Sequence, residues 1–255
     1  MSTDFTVIIP ARYESSRFPG KLLAKLRGKE VLAWVYEKAM LSNASKVCIA
    51  TDDIRIADFC NKLNAPVVMT STKHSSGTER VHEAAHKMGL SGKDLVINVQ
   101  GDEPLLPPAN INQLADLLIE HQDFPMASLT TPILDEEELR DPNCVKAVMD
   151  ANGRALYFSR SIIPGGFDTA GTFSDSMANI WHRHLGIYAY RMSFLAQYVN
   201  WDECAYEKLE KLEQLRVIYN GSAILLATAK ETTPPGIDTP ADLIALEEYV
   251  AYSDK

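Results

Sequence analysis

Cysteine is scarce: Cys48, Cys60, Cys144 and Cys204 are the only four in 255 residues, and no two form a Cys-x-x-Cys pair. That spacing argues against a disulfide framework or a zinc knuckle, and Cys48 and Cys144 lie in apolar, strand-like runs where a thiol behaves as a small hydrophobe. Long hydrophobic runs are lacking too. No stretch approaches the roughly 20 apolar residues that a membrane span needs. The opening Met1-Ser-Thr-Asp-Phe-Thr-Val-Ile-Ile-Pro10 has no basic region ahead of its short apolar run, so it reads as a first strand rather than a signal peptide. A cytoplasmic location is expected, with no membrane partner. Positive charge is outweighed, 25 Lys and Arg against 34 Asp and Glu for a net −9, which disfavours general nucleic-acid binding. Glycine-rich nucleotide signatures are missing as well. There is no Gly-x-Gly-x-x-Gly, and Leu22 stands where a Walker loop would place Ser or Thr after its lysine.

What is present is an ordinary globular composition, 46% hydrophobic and 23% charged, enough for a sizeable core. Short β-branched runs alternate with helical spacing. Strands are expected at 6–9, 46–50, 65–69 and 94–99, with helices at 30–41, 54–63, 77–88 and 111–121. This alternation predicts an α/β fold with a mostly parallel, doubly wound sheet. Beyond about residue 125 the pattern loosens into strand-like runs at 127–130, 145–149, 154–158 and 184–190. A Gly-, Ser- and Thr-rich loop is expected over 165–179, a helix over Tyr206–Ile218 with Tyr206, Leu209, Leu212, Leu215 and Ile218 on one stripe and Glu213 and Gln214 on its flank, and a strand over 223–228. A last helix opens at Thr239, a plausible N-cap, with Pro240 at its first position. No repeat or two-domain linker is visible, so 1–255 reads as one domain, with 125–190 as a smaller β-rich region.

Charge is unevenly spread. Residues 11–30 hold Arg12, Arg17, Lys21, Lys25, Arg27 and Lys29 against Glu14 and Glu30, which suits a small anionic ligand or a solvated basic face. The first strand feeds a loop with Arg12, Ser15, Ser16, Arg17, Gly20 and Lys21. Guanidinium forks and an ammonium suit polyphosphate there, and Gly20 allows close backbone approach. A second buried strand ends in Gln100-Gly-Asp-Glu103, where carboxylates can hold magnesium or Asp102 can close a turn. Asp238 precedes the cap at Thr239 and is either itself the cap or free for another task. The two aspartates, distant in sequence, could converge on one hard cation.

Taken together, these segments resemble the CMP-Kdo synthetases, also called 3-deoxy-manno-octulosonate cytidylyltransferases. The matching blocks are Ile8-Ile-Pro-Ala-Arg-Tyr13, Ser16-Arg17, Pro19-Gly-Lys21, Ala50-Thr-Asp52, His74-Ser-Ser-Gly-Thr-Glu-Arg80 and Asn98-Val-Gln-Gly-Asp-Glu-Pro104. Others are Ala155-Leu-Tyr-Phe-Ser-Arg160, Ile163-Pro164, Arg183-His-Leu-Gly-Ile-Tyr188, Leu212-Glu-Gln-Leu-Arg216 and Gly236-Ile-Asp-Thr-Pro240, in order along nearly the whole chain. The resemblance implies a Rossmann-like nucleotidyltransferase that joins CMP from CTP to an acidic eight-carbon sugar for lipopolysaccharide biosynthesis. It implies Arg12, Ser16, Arg17 and Lys21 on the triphosphate, and Ser76, Arg80 and Gln100 on the cytidine. Asp102 and Asp238 would bind magnesium, with Lys21, Arg17 and both aspartates as the catalytic group. Arg160, His184, Tyr188, Glu213 and Gln214 would line the sugar site. A homodimer through about 125–190 is implied as well.

One block departs from the family pattern. After Ile163-Pro164 the family usually continues with an aromatic, then acidic and basic residues. Here Gly165-Gly-Phe-Asp-Thr-Ala-Gly171 carries Asp168 as its only charge. An aspartate there would welcome a cationic group, as in an 8-amino-3,8-dideoxy relative of Kdo; a solvent loop without a role is the other reading. His82-Glu-Ala-Ala-His86 matches a zinc-protease pattern, but no convincing third ligand follows it. A sialic-acid-type synthetase and a non-catalytic nucleotide-binding protein are the remaining alternatives.

Overall fold

Val7 and Ile9 point to one face of the first strand and Ile8 to the other, and all three are fully buried. Both faces of that strand are therefore covered, as a doubly wound sheet requires. The structure, a computed structural model, describes residues 4–15, 17–166 and 180–253. The chain runs β1 (Phe5–Ala11), a hairpin of β2 (Lys25–Leu26) and β3 (Lys29–Glu30), α1 (Val31–Met40), β4 (Lys46–Thr51), α2 (Ile54–Lys62) and β5 (Val67–Met69). It continues through α3 (Gly77–Lys87), β6 (Leu95–Asn98), α4 (Pro108–Glu120), β7 (Met126–Pro132), α5 (Glu136–Arg140), β8 (Lys146–Met149), β9 (Ala155–Ser159) and β10 (His182–Arg191). Then follow α6 (Met192–Tyr198), α7 (Ala205–Glu210), α8 (Leu215–Tyr219), β11 (Ile224–Thr228) and α9 (Pro240–Ser253).

The main sheet has the order β11-β7-β10-β6-β1-β4-β5, with β8 and β9 attached through the start of β10. All strands of that row run parallel except β10, which is antiparallel to both β6 and β7. One core layer joins Val7, Ile9, Ile49 and Ile97 to Val31 and Val35 of α1 and Leu114 and Leu118 of α4. The opposite layer joins Ile8, Cys48 and Val96 to Val81 and Ala84 of α3 and Phe194 of α6. The four cysteines are free and buried. Among the described residues, no helix is long and apolar enough to cross a membrane.

The helix expected over Tyr206–Ile218 is two short helices. It breaks at Lys211, which takes a left-handed backbone (φ 56°), so Tyr206 and Leu209 are exposed while Leu212 and Leu215 are buried. Tyr206, Leu209 and Leu212 therefore form no common stripe. Glu213 and Gln214 sit in the turn between the helices rather than on a helical flank.

Candidate active site

Ligands of parallel sheets gather at the carboxyl edge of the strands, and the loops after β1, β6 and β11 meet there. β1 delivers Arg12 to Lys21, β6 delivers Gln100 to Glu103, and the segment after β11 delivers Asp238. Because β10 runs the other way, its N-terminal half, with Arg183 and His184, lies at this same edge.

The loops converge on Lys21. Gly20 allows the turn with φ 71°, its N–H bonded to the Tyr13 carbonyl at 2.9 Å. Lys21 Nζ then lies 2.5 Å from Asp102 Oδ2 and 3.1 Å from Asp238 Oδ1, and donates to the Ile237 carbonyl at 2.9 Å. Arg17 closes on the other oxygen of Asp238 at 2.8 Å. Burial by itself would lower the Lys21 pKa, but Asp102 and then Asp238 outweigh it and hold the ammonium above its ordinary value. Asp102 is brought in because Gly101 passes against β1, where an added Cβ would stand 2.9 Å from the Pro10 carbonyl oxygen. Thr239 Oγ1 accepts the Asp242 N–H at 3.3 Å, and Asp242 accepts the N–H groups of Asp238 and Thr239. That capping box leaves the Asp238 carboxylate free for the site.

Two clefts meet at this cluster. The smaller, about 400 Å³, is lined by Arg12, Ser15, Lys21, Ser75 and Gly77 among others. The larger, about 610 Å³, is lined by His184, Tyr188, Glu213, Gln214, Glu103 and Arg183 among others. Arg17, Gln100, Asp102 and Asp238 line both.

In the larger cleft, β10 bulges. Leu185 pairs with Leu129 but Tyr188 with Ser128, so Gly186 and Ile187 are extra residues. The bulge brings His184 and Tyr188 together, ring centroids 5.4 Å apart. Ser128 Oγ lies within 3.0 Å of the Leu185 and Ile187 carbonyls and 2.9 Å from His184 Nε2. A hydroxyl that donates to a carbonyl must accept from the imidazole, which leaves His184 Nδ1 an acceptor. Burial drives the His184 pKa down to about 3, so the ring is neutral. Glu213 accepts from Thr78 Oγ1 at 2.6 Å, and burial raises its pKa. The Gln214 amide nitrogen is buried and has no hydrogen-bond partner among the described residues, which suits it to donate to a ligand. Burial, then the charge of Asp102, push Glu103 up to about 7, against the pull of Arg183.

The structure thus gathers Arg12, Arg17, Lys21, Gln100, Asp102, Asp238, His184, Tyr188, Glu213 and Gln214 around one pair of clefts. Three expected residues line neither. Arg80 is fully buried and spends its guanidinium on Thr70 and Asp52. Arg160 donates to the carbonyls of Glu210 and Pro142. Ser76 caps α3 by accepting the Glu79 N–H. Ser16 and Asp168 lie outside the described residues. His82 and His86, on α3, line neither cleft. Sequence reasoning assigned no role to Arg183, which bonds Glu138 at 2.8 Å and the Thr233 carbonyl at 2.7 Å, although it opens one of the resembling blocks.

Asp102 and Asp238 bring carboxylate oxygens to one point, which Lys21 Nζ holds, while Arg17 holds the second oxygen of Asp238; both carboxylates are partly exposed, and their hard oxygen donors are of the type a divalent ion takes. Among the described residues no three His, Cys, Asp or Glu side chains are placed to hold a metal. This pair would therefore need substrate oxygens to complete a shell, as magnesium sites commonly do.

The description Cytidylyltransferase belongs to the family profile that matches residues 6–225. With the sheet and its edge site, that match makes the chain a nucleotidyltransferase. A 3-deoxy-manno-octulosonate cytidylyltransferase of Vibrio parahaemolyticus is 49% identical over 247 residues, covering 97% of this chain and 98% of that one. One of Haemophilus influenzae is 49% identical over 251 residues, with the same coverage. The solved structure of a CMP:2-keto-3-deoxy-manno-octonic acid synthetase complexed with CTP superimposes with a TM-score of 0.88 at 35% identity, covering 98% of this chain and 99% of that one. The chain belongs to the 3-deoxy-manno-octulosonate cytidylyltransferase family.

Proposed function

We propose that the chain transfers the CMP group of CTP to Kdo or its 8-amino-3,8-dideoxy relative, releasing pyrophosphate. The observation that carries this reading is the meeting of two clefts at one charged cluster. The smaller cleft, with Arg12, Arg17 and Lys21, is chemically suited to a triphosphate. The larger, with neutral His184, Tyr188, Gln214 and Glu213, is suited to a polyhydroxylated sugar. The names of the relatives and the CTP complex of the structural neighbour support CTP and Kdo as the substrates.

In this account the anomeric hydroxyl of the sugar gives its proton to solvent and attacks the α-phosphorus of CTP in line, forming the new P–O bond as the bond to the leaving pyrophosphate breaks. Lys21 and Arg17 balance the charge that builds on the phosphate oxygens. Gln100, at the junction of the clefts, orients the nucleotide against the sugar. His184 Nδ1 accepts, and Gln214 Nε2 donates, hydrogen bonds to sugar hydroxyls. Asp102 and Asp238 would hold magnesium, which when bound supplies charge neutralisation and makes a nearby hydroxyl easier to deprotonate. Ser16 belongs with the phosphate-binding loop in this scheme. Arg80, Ser76 and Arg160 act from behind the walls, as supports. The working assembly is a cytoplasmic homodimer.

The test is pyrophosphate release from CTP and magnesium with Kdo and its 8-amino relative assayed side by side. Release that requires both CTP and one of these acidic sugars is expected, and a preference for the amino sugar would give Asp168 a role in selection. No release with either would overturn the reading.

A further inference from the structure

Helix α4 packs Ile111, Leu114, Ala115 and Leu118 into the core, yet two amides share that burial. Asn110 is fully buried and Gln113 is 8% exposed. Three positions apart, they are neighbours on one helical face. Asn110 Nδ2 donates to the Glu231 carbonyl at 2.8 Å and to Thr233 Oγ1 at 3.1 Å, and its Oδ1 accepts the Glu231 N–H at 3.0 Å. Gln113 Nε2 donates to the Thr228 carbonyl at 2.8 Å, and its Oε1 accepts the Lys230 N–H at 2.9 Å. Each side chain therefore offers the paired donor and acceptor that a neighbouring strand would offer, to a backbone that has just left the sheet.

That backbone leads to Asp238. Residues 229–239 contain no helix or strand, so without other partners their path would be loosely set. Past the amide clamp, Pro234 and Pro235 fix two successive φ angles. The far end is held again. Ile237 N–H donates to the Asp102 carbonyl at 2.9 Å, and Gly236 packs so closely that an added Cβ would stand 3.0 Å from that same oxygen. Arg183 adds a bond to the Thr233 carbonyl midway. The segment is thus a strap pinned at both ends, with a stiff pair of prolines between the pins.

We propose that Asn110 and Gln113 are positioning residues for nucleotidyl transfer, holding 228–233 as the mount from which Asp238 reaches Lys21 and Asp102. Apolar residues at both positions would fit the helix face equally well but would leave the strap's backbone groups unpaired. The amides are thus explained by the strap rather than by the helix. The inference rests on the role proposed above for Asp238.

Double-mutant cycles test it, with Asn110→Leu and with Gln113→Met, each combined with Asp238→Asn. Misplacing a reacting group by a fraction of its contact distance lowers kcat by roughly 10- to 100-fold, and losses of that size are expected for Asn110→Leu and Gln113→Met in the otherwise unchanged enzyme. In the Asp238→Asn background each should change kcat by less than about twofold, since the group they position is already disabled. Hydrogen exchange at the Ile237 and Asp238 amides should quicken in the single variants while β1 stays protected. Gln113→Met, which removes one pair of bonds, carries the test alone where Asn110→Leu does not fold. Losses that multiply in the double variants would overturn the positioning role alone. An Asp238→Asn enzyme as fast as the parent would overturn the role of Asp238, and this inference with it.

Discussion

Asp102 and Asp238 share the ammonium of Lys21, while Glu103, next in sequence, stands in the larger cleft with its pKa pushed up to about 7. The sign of its effect follows from proton counting. Between about 4.5, its ordinary value, and about 7, the folded protein keeps a proton that the unfolded chain has released. Stability must fall as pH rises through that window and level off above it. Glu103→Gln removes the effect. The urea midpoint of the parent minus that of Glu103→Gln should therefore decrease from pH 4.5 to 7 and stay constant beyond; a pH-independent difference would contradict the assignment. At this scale the meeting of Arg17, Lys21, Asp102 and Asp238 was legible from charge type and the resembling blocks, and the four side chains form one cluster. The partners of Arg80 and Arg160 were not legible. A guanidinium that satisfies Asp52 and Thr70, or two carbonyls, looks the same in a sequence as one that faces a ligand.

The turn that carries Glu213 and Gln214 is held by a buried ion pair across the broken helix. Arg216 on α8 meets Glu207 on α7 through two bonds, 2.8 and 2.6 Å, and donates to the Trp201 carbonyl at 3.1 Å. Both side chains are at least nine-tenths buried. Arg216→Met would strand a buried carboxylate and should cost about 3–5 kcal/mol of unfolding free energy, whereas Arg216→Met with Glu207→Leu should recover most of it. Urea unfolding of the two variants checks this, and equal losses in both would contradict it. The helix break had no signal in the sequence, because a non-glycine residue, Lys211, supplies the left-handed backbone. The same limit applies to β10. Alternating polarity marks a strand but not its direction or its bulge, so the antiparallel entry that brings His184 and Arg183 to the carboxyl edge emerged only in three dimensions. The β-α alternation through residue 121, by contrast, was legible because each period has one regular solution.

Across the whole molecule, six distant stretches, around residues 12–22, 75–77, 100–103, 138–145, 183–188 and 211–214, close on one edge of one sheet, and the segment that carries Asp238 completes the ring. Order along the chain was readable from the resembling blocks; the division into two clefts that share four residues was not. The central claim is that the cluster at their junction carries out the transfer. The measurement that tests it most directly is formation of CMP-sugar by Lys21→Met, with circular dichroism showing that the variant is folded. Loss of the ammonium from a preorganised charge site should slow the reaction by about 10²- to 10³-fold, and a folded Lys21→Met enzyme that turns over at the parent rate would contradict the account.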